Sequence, residues 1–141
     1  ETFKNSFIPS TVKLYNSLDY CNRNLEYCKS LMQNTRSELL YYGNRISNIK
    51  HSQLRMQCSK LHYHLFLLHV RESPNCACGY NREDVSHYLL HCPLYFQDRN
   101  VMIHEINNLG VDATVNVLLY GSDDVDISIN KKIFDAVQSS F

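Results

Sequence analysis

Apolar residues recur along this chain at steps of three and four more than at steps of two, the spacing of helix faces rather than strands. Residues 3–8 are short and aromatic, Pro9 interrupts them, and Ser10-Thr11 reads as an N-cap ahead of Val12, Leu14, Tyr15 and Leu18. Asn24 can cap a second helix whose face is Leu25, Cys28, Leu31 and Met32; Leu39, Leu40 and Tyr41 extend it or open a new turn before Gly43. Ile46, Ile49, Gln53, Leu54 and Cys58 predict a third helix, and Leu61, Leu65 and Leu68 a fourth or a continuation of the third. Ser73-Pro74 breaks the pattern, because the residue before proline is driven out of the helical region. Phe96, Met102, Ile103, Ile106 and Leu109 then predict a long amphipathic helix ended by Gly110. Val115 and residues 117–120 form a short apolar run, a buried helical turn or a strand. Residues 121–124 read as a loop, and Ile129, Ile133, Phe134 and Val137 as a last helix. With only 4 Gly and 3 Pro in 141 residues, the expected class is mainly α.

The break at Ser73-Pro74 is followed by the most informative chemistry in the chain. Cys76 and Cys78, then His87, then Cys92 are spaced C-x-C-x8-H-x4-C. Three thiolates and an imidazole are the ligands Zn2+ prefers, in the number a closed tetrahedral site requires. Such a site is structural and leaves no coordination position for a reacting water. Cys76 and Cys78 suit a tight knuckle, with Gly79 supplying the backbone freedom of the turn. Asn81 can cap the next helix, with Glu83 and Asp84 in its first turn. His87 and Cys92 would lie roughly 140° apart on a continuous α-helix; Pro93 resolves this by forcing Cys92 into an extended conformation. His91 competes with His87 but adjoins Cys92, and neighbouring residues rarely bind one ion together. Tyr88, Leu89 and Leu90 are expected to pack the module onto the helices. The expected fold is therefore a helical domain with a small embedded CCHC zinc knuckle: a basic helical region over 1–70, the zinc module over 71–93, and C-terminal helices over 94–141 packing on the same core.

Charge adds a direction. The formal net charge is zero, but residues 1–60 sum to +5 and residues 61–141 to −5, so a polyanion would meet the first half. Arg45, Lys50, Arg55 and Lys60 recur at five-residue steps, interleaved with His51, Gln53 and Tyr63, and Arg71 carries the basic surface to the zinc module. Phosphate contacts beside stacking aromatics are how single strands are bound; an ordinary solvated helix face has the same look.

Other classes find less support. No stretch reaches the roughly 18 apolar residues of a membrane span; residues 61–70 come nearest and are broken by His62, His64 and His69. Of the 6 cysteines, three sit in the metal motif, which suits a reducing compartment, nucleus or cytoplasm. Cys58 and His62 share a helix face without two further ligands, so Cys58 is expected in the core. Cys21 and Cys28, seven apart on one helix, lie beyond disulfide reach. Asp123, Asp124 and Asp126 resemble a solvated loop leading into a helix capped by Asp126 or Ser128. No nucleophile–base pair, phosphate loop or paired catalytic carboxylates can be argued, and no catalytic residue is expected. The chain opens at Glu1-Thr2-Phe3-Lys4 and reads as a fragment of something longer.

Several strings together resemble a known family: residues 51–55 (HSQLR), His64-Leu65, residues 73–79 (SPNCACG), residues 83–93 (EDVSHYLLHCP) and Arg99. They look like the C-terminal zinc-binding segment of reverse transcriptases from non-LTR (long-interspersed-type) retrotransposons. Residues 5–18 (NSFIPSTVKLYNSL) resemble the segment just upstream in such elements, with Tyr15 where the family has Trp. Residues 118–121 and 133–137 resemble the closing helix of some of them. Gln57-Cys58 stands where the family often has Gly-His, so a role for that histidine does not carry over. The resemblance implies a module that grips template RNA or target DNA during target-primed reverse transcription, attached to the rest of a parent polymerase. It carries over Cys76, Cys78, His87 and Cys92 as ligands and Arg55 as the family's helix arginine. Neither the polymerase Asp-Asp motif nor endonuclease motifs are present, so this segment is not expected to be an enzyme. The competing expectation is a structural or protein-interaction zinc domain, derived from such an element, that binds no nucleic acid.

Overall fold

The computed structural model describes residues 37–141; the helices predicted over residues 10–36, with Cys21 and Cys28, lie outside the described residues. Described first is a helical turn, α1 (Ser37–Leu40), whose Leu39 is buried. Next comes α2 (Arg45–Arg55), opened by Asn44, whose side-chain oxygen accepts the Ser47 N–H at 3.0 Å. Gln57 then turns with φ +55°, which separates α2 from α3 (His62–Leu67) and settles them as two helices. His69, also at φ +55°, follows the end of α3, so that helix stops before Ser73-Pro74 is reached. The chain continues through the cysteine knuckle and a short widened helix (His87–His91) to α4 (Phe96–Asn108). The ambiguous apolar run is a helix, α5 (Val115–Tyr120), capped by the Thr114 hydroxyl. The last is α6 (Ile127–Ser139), with Asp126 as its N-cap residue. The fold is mainly helical, with no strand among the described residues.

Packing centres on α6, which lies against α4, α2 and α5. Its Ile133, Phe134 and Val137 are fully buried, as the predicted stripe requires, together with Met102 and Ile106 of α4 and Leu118 and Leu119 of α5. Two glycines mark close approaches. A Cβ on Gly43 would sit 2.0 Å from the Gln138 side-chain oxygen, and one on Gly121 2.6 Å from that of Asn130. Asn130 itself is buried and clamps the 121–124 loop by accepting the Ser122 N–H and donating to the Ser122 carbonyl, each at 2.8 Å. Asp123 and Asp124 are exposed on that loop.

The third predicted helix exists, but its inward face is rotated: Leu54 of the predicted stripe is buried and the isoleucines are not. Ile46 is 69% exposed and Ile49 47%, while His51, Leu54 and Arg55 are buried. The reason is polar. At the C-terminus of α5, the Arg55 Nε–H donates to the Leu119 carbonyl at 2.5 Å, and His51 Nε2 lies 3.0 Å from the Leu118 carbonyl. Unpaired carbonyls at a buried helix end need donors, and two side chains one turn apart on α2 supply them. The Arg55 guanidinium also lies over the Phe134 ring, 5.0 Å from its centre. Cys58 is half-buried and disulfide-bonded rather than a free core thiol. Among the described residues, no helix is long and apolar enough to cross a membrane.

Candidate metal centre

Residues 76–80 close on themselves. The Gly79 N–H donates to the Cys76 carbonyl at 3.0 Å, and the Cys76 N–H to the Tyr80 carbonyl at 2.9 Å. Gly79 has φ +94° with open space where a Cβ would go, so glycine is required there by backbone conformation alone. The Cys76 and Cys78 thiols emerge from this turn toward the same point.

The opposite half of the site comes from the helix that follows. Its N-cap is Asp84, not Asn81: the Asp84 carboxylate accepts the His87 N–H at 2.8 Å and its carbonyl accepts the Tyr88 N–H. His87 therefore sits in the first turn, its backbone held by the cap. Over His87–His91 the helix widens to a π-turn, in which the Cys92 N–H reaches back five residues to the His87 carbonyl at 2.6 Å. Cys92 then leaves in an extended conformation, φ −64° and ψ 123°, as Pro93 demands. Two devices thus bring His87 and Cys92 onto one face; Pro93 was legible in the sequence and the π-turn was not.

The result is a compact cluster. The ligand atoms of Cys76, Cys78, His87 and Cys92 all lie within 4.8 Å of one another. Cys76 and Cys92 sulfurs are 3.6 Å apart, and Cys78 Sγ is 3.2 Å from His87 Nε2. Cys76, His87 and Cys92 are buried and Cys78 is half-buried. The four groups could hold a metal ion, and His91, exposed, is not among them.

The two knuckle thiols differ in proton affinity. Burial pushes the Cys76 thiol up to about 12, whereas the Tyr80 backbone N–H lowers that of Cys78. A cation would have to displace the Cys76 proton, which makes binding proton-coupled.

Two supporting residues, Arg99 and Glu83, had no such role in the sequence reading, and a third, Leu89, packs the module onto the helices as expected. The buried Arg99 on α4 donates from Nη1 to the Cys92 carbonyl at 2.6 Å, tying a ligand's backbone to the helical core. The buried Glu83 carboxylate accepts the His62 N–H at 2.8 Å at the start of α3, and its other oxygen lies 3.5 Å from Cys76 Sγ. Leu89, on the π-turn between the ligands, is 3% exposed in the central core, with Tyr88 and Leu90 packed against it. Asp84 had a sequence signal, an Asx residue three before His87; Arg99 figured only in the family resemblance, since only folding sets it beside Cys92.

The residues expected to meet nucleic acid divide. Arg45, Lys50, Lys60 and Arg71 are exposed, and Lys50 and Lys60 border one groove of about 530 Å3. Arg55 is the correction. It is 3% exposed with its guanidinium on Leu119, so it stabilises the fold and does not face a phosphate. No family model, curated protein or solved structure matches the chain.

Proposed function

We propose that this chain is a zinc-stabilised CCHC module that binds nucleic acid, and that it forms the C-terminal part of a retroelement reverse transcriptase. The observation that carries the reading is the four-ligand cluster. Zinc bonds of about 2.3 Å to sulfur and 2.0–2.1 Å to nitrogen set tetrahedral edges of roughly 3.6–3.8 Å; two of the six ligand-atom separations, 3.6 Å S–S and 3.2 Å S–N, come within a few tenths of an ångström of that figure, and all lie within 4.8 Å. Three sulfurs favour zinc over harder cations such as Mg2+ or Ca2+. With all positions filled by protein, the ion would hold the knuckle against α4 and take no part in hydrolysis. Nucleic-acid binding is supported by the exposed Arg45, Lys50, Lys60 and Arg71 and by the basic sum of the first 60 residues. The reverse transcriptase assignment rests on the sequence resemblance.

Two measurements test this. Elemental analysis of the purified chain is expected to find one zinc per molecule, lost in Cys92→Ala; absence of zinc in the native chain overturns the metal assignment. Binding to a single-stranded RNA or DNA is expected to weaken with salt at a log–log slope of about −3 for four phosphate contacts, flattening when the four basic residues become Gln. No binding at low salt removes the nucleic-acid reading.

The competing reading is a protein-interaction zinc domain, and one feature favours it. The groove beside Lys50 and Lys60 is lined by Ile46, Ile49, Leu54, Leu61 and Tyr95, and outward isoleucines suit a protein partner better than a phosphate backbone. Absence of salt-dependent binding to nucleic acid would favour that view.

A further inference from the structure

Beside the candidate metal centre is a concavity of about 850 Å3 bordered by Tyr80, Asn81, Arg82, Asp84, Ser86, His87 and His91. Tyr80 is 54% exposed, yet its ring is not loose. It lies flat on the His87 imidazole, with ring centres 4.5 Å apart and planes 11° from parallel. Its backbone is held by the Cys76 N–H on its carbonyl, and its own N–H faces the Cys78 sulfur. One face of the phenol is thus backed by a metal-ligand candidate, and the residue stays more than half exposed. Two residues on, Arg82 is held as firmly: its guanidinium lies over the Tyr63 ring at 4.0 Å and pairs with Asp84 at 3.0 Å. The rim therefore presents planar groups fixed before any ligand arrives, with amide, hydroxyl and imidazole groups beside them and the Asp84 carboxylate paired with Arg82.

Planar, exposed and preorganised groups next to side-chain donors and acceptors fit a flat heterocycle with polar edges. We infer that Tyr80 is a stacking platform for an unpaired nucleobase. The inference rests on the nucleic-acid reading above and narrows it: bases within a duplex have no free face to offer, so the substrate is single-stranded at this point. The site is separate from the basic residues of α2, which would follow the backbone. The volume admits a nucleotide, and the rim holds a single large hydrophobic side chain, Tyr80, too little for a protein side-chain anchor.

The test uses the full chain and two short DNA oligonucleotides of equal length, one carrying a central 2-aminopurine and one abasic throughout. The native chain is expected to quench the 2-aminopurine fluorescence and to bind the base-bearing strand roughly tenfold or more tighter than the abasic one. Tyr80→Phe is expected to keep both properties. Tyr80→Leu, which still covers His87, is expected to lose the quenching and bind the two strands alike, with zinc content unchanged. Native-like quenching and preference in Tyr80→Leu overturn the assignment. Should that variant shed its metal, the native chain alone decides: equal affinity for the two strands overturns the assignment while leaving phosphate binding intact. Failure to bind either strand removes the nucleic-acid reading itself, and this inference with it.

Discussion

His51 and His64 are histidines that the fold keeps neutral. Burial, and then the neighbouring Arg55 charge, hold His51 down to about 3, and burial holds His64 down to about 4. His64 Nδ1 accepts from the Ser59 N–H at 3.3 Å, with the Ser59 hydroxyl 2.7 Å away. Both pKa values lie below the unfolded value of about 6.5, so the unfolded chain binds these protons first. The stability they confer is complete above pH 6.5 and is lost as pH falls from there toward 4 and 3. Each buried histidine contributes a slope of up to about 1.4 kcal/mol per pH unit in that window. Urea unfolding of the native chain and His51→Gln, compared at pH 7.5 and 5.0, is expected to show a smaller acid loss in the variant; identical slopes would mean His51 does not titrate this way. On the proposed zinc reading, metal retention also falls with acid, because thiols and imidazole must lose their protons to bind. Residue by residue, the ligands could be read from type and spacing, while Arg55 could not: an arginine in a basic stripe and an arginine capping a buried helix look alike until their surroundings are known.

Helix boundaries were the most legible feature where punctuation was local. Gly110, Gly121 and Pro93 end or redirect their segments by their own backbone preferences, and Asp126 stands at the N-cap position of the helix that follows it, as expected. The π-turn is different. It needs the Asp84 cap at one end, Pro93 after the other, and Leu89 drawn into the core between them. Asp84→Ala is expected to destabilise the module by about 1 kcal/mol, with Asp84→Asn largely neutral; thermal unfolding of the zinc-loaded chains measures both. Arg99→Met removes the donor on the Cys92 carbonyl, and a loss of 10- to 100-fold in zinc affinity is expected, read by competition with a chromophoric chelator. An unchanged affinity would show that α4 does not tension the ligand. On α2, the rotated face follows from competition between two stripes. The isoleucines would gain roughly 1.5–3 kcal/mol each by burial, but the carbonyls at the end of α5 can be satisfied only from the stripe carrying His51 and Arg55.

The candidate metal site and the helical core are joined in one structure through Leu89, Arg99 and Glu83. Leu89→Ala is therefore expected to cost about 2–5 kcal/mol and also to loosen zinc, whereas a module tethered but not packed would lose stability without losing metal. Chelation of the native chain is expected to lower its unfolding temperature in a single transition, followed by circular dichroism at 222 nm. A separate early transition confined to the knuckle would show that the two parts melt independently. Near-neighbour chemistry in the sequence was enough to reveal a mainly helical chain, its helix ends and a four-ligand cluster, because spacing, caps and breakers act over a few residues. Which face of α2 turns inward, which arginines are buried, how the helix widens to align His87 with Cys92, and what stands behind Tyr80 were decided only in three dimensions. The α2 face, the buried arginine and the widened helix depend on partners far along the chain, Leu118 and Leu119 for α2 and the α4–α6 core for Leu89, and no local pattern encodes where such partners will lie; the Tyr80–His87 stack depends on how the intervening turn closes.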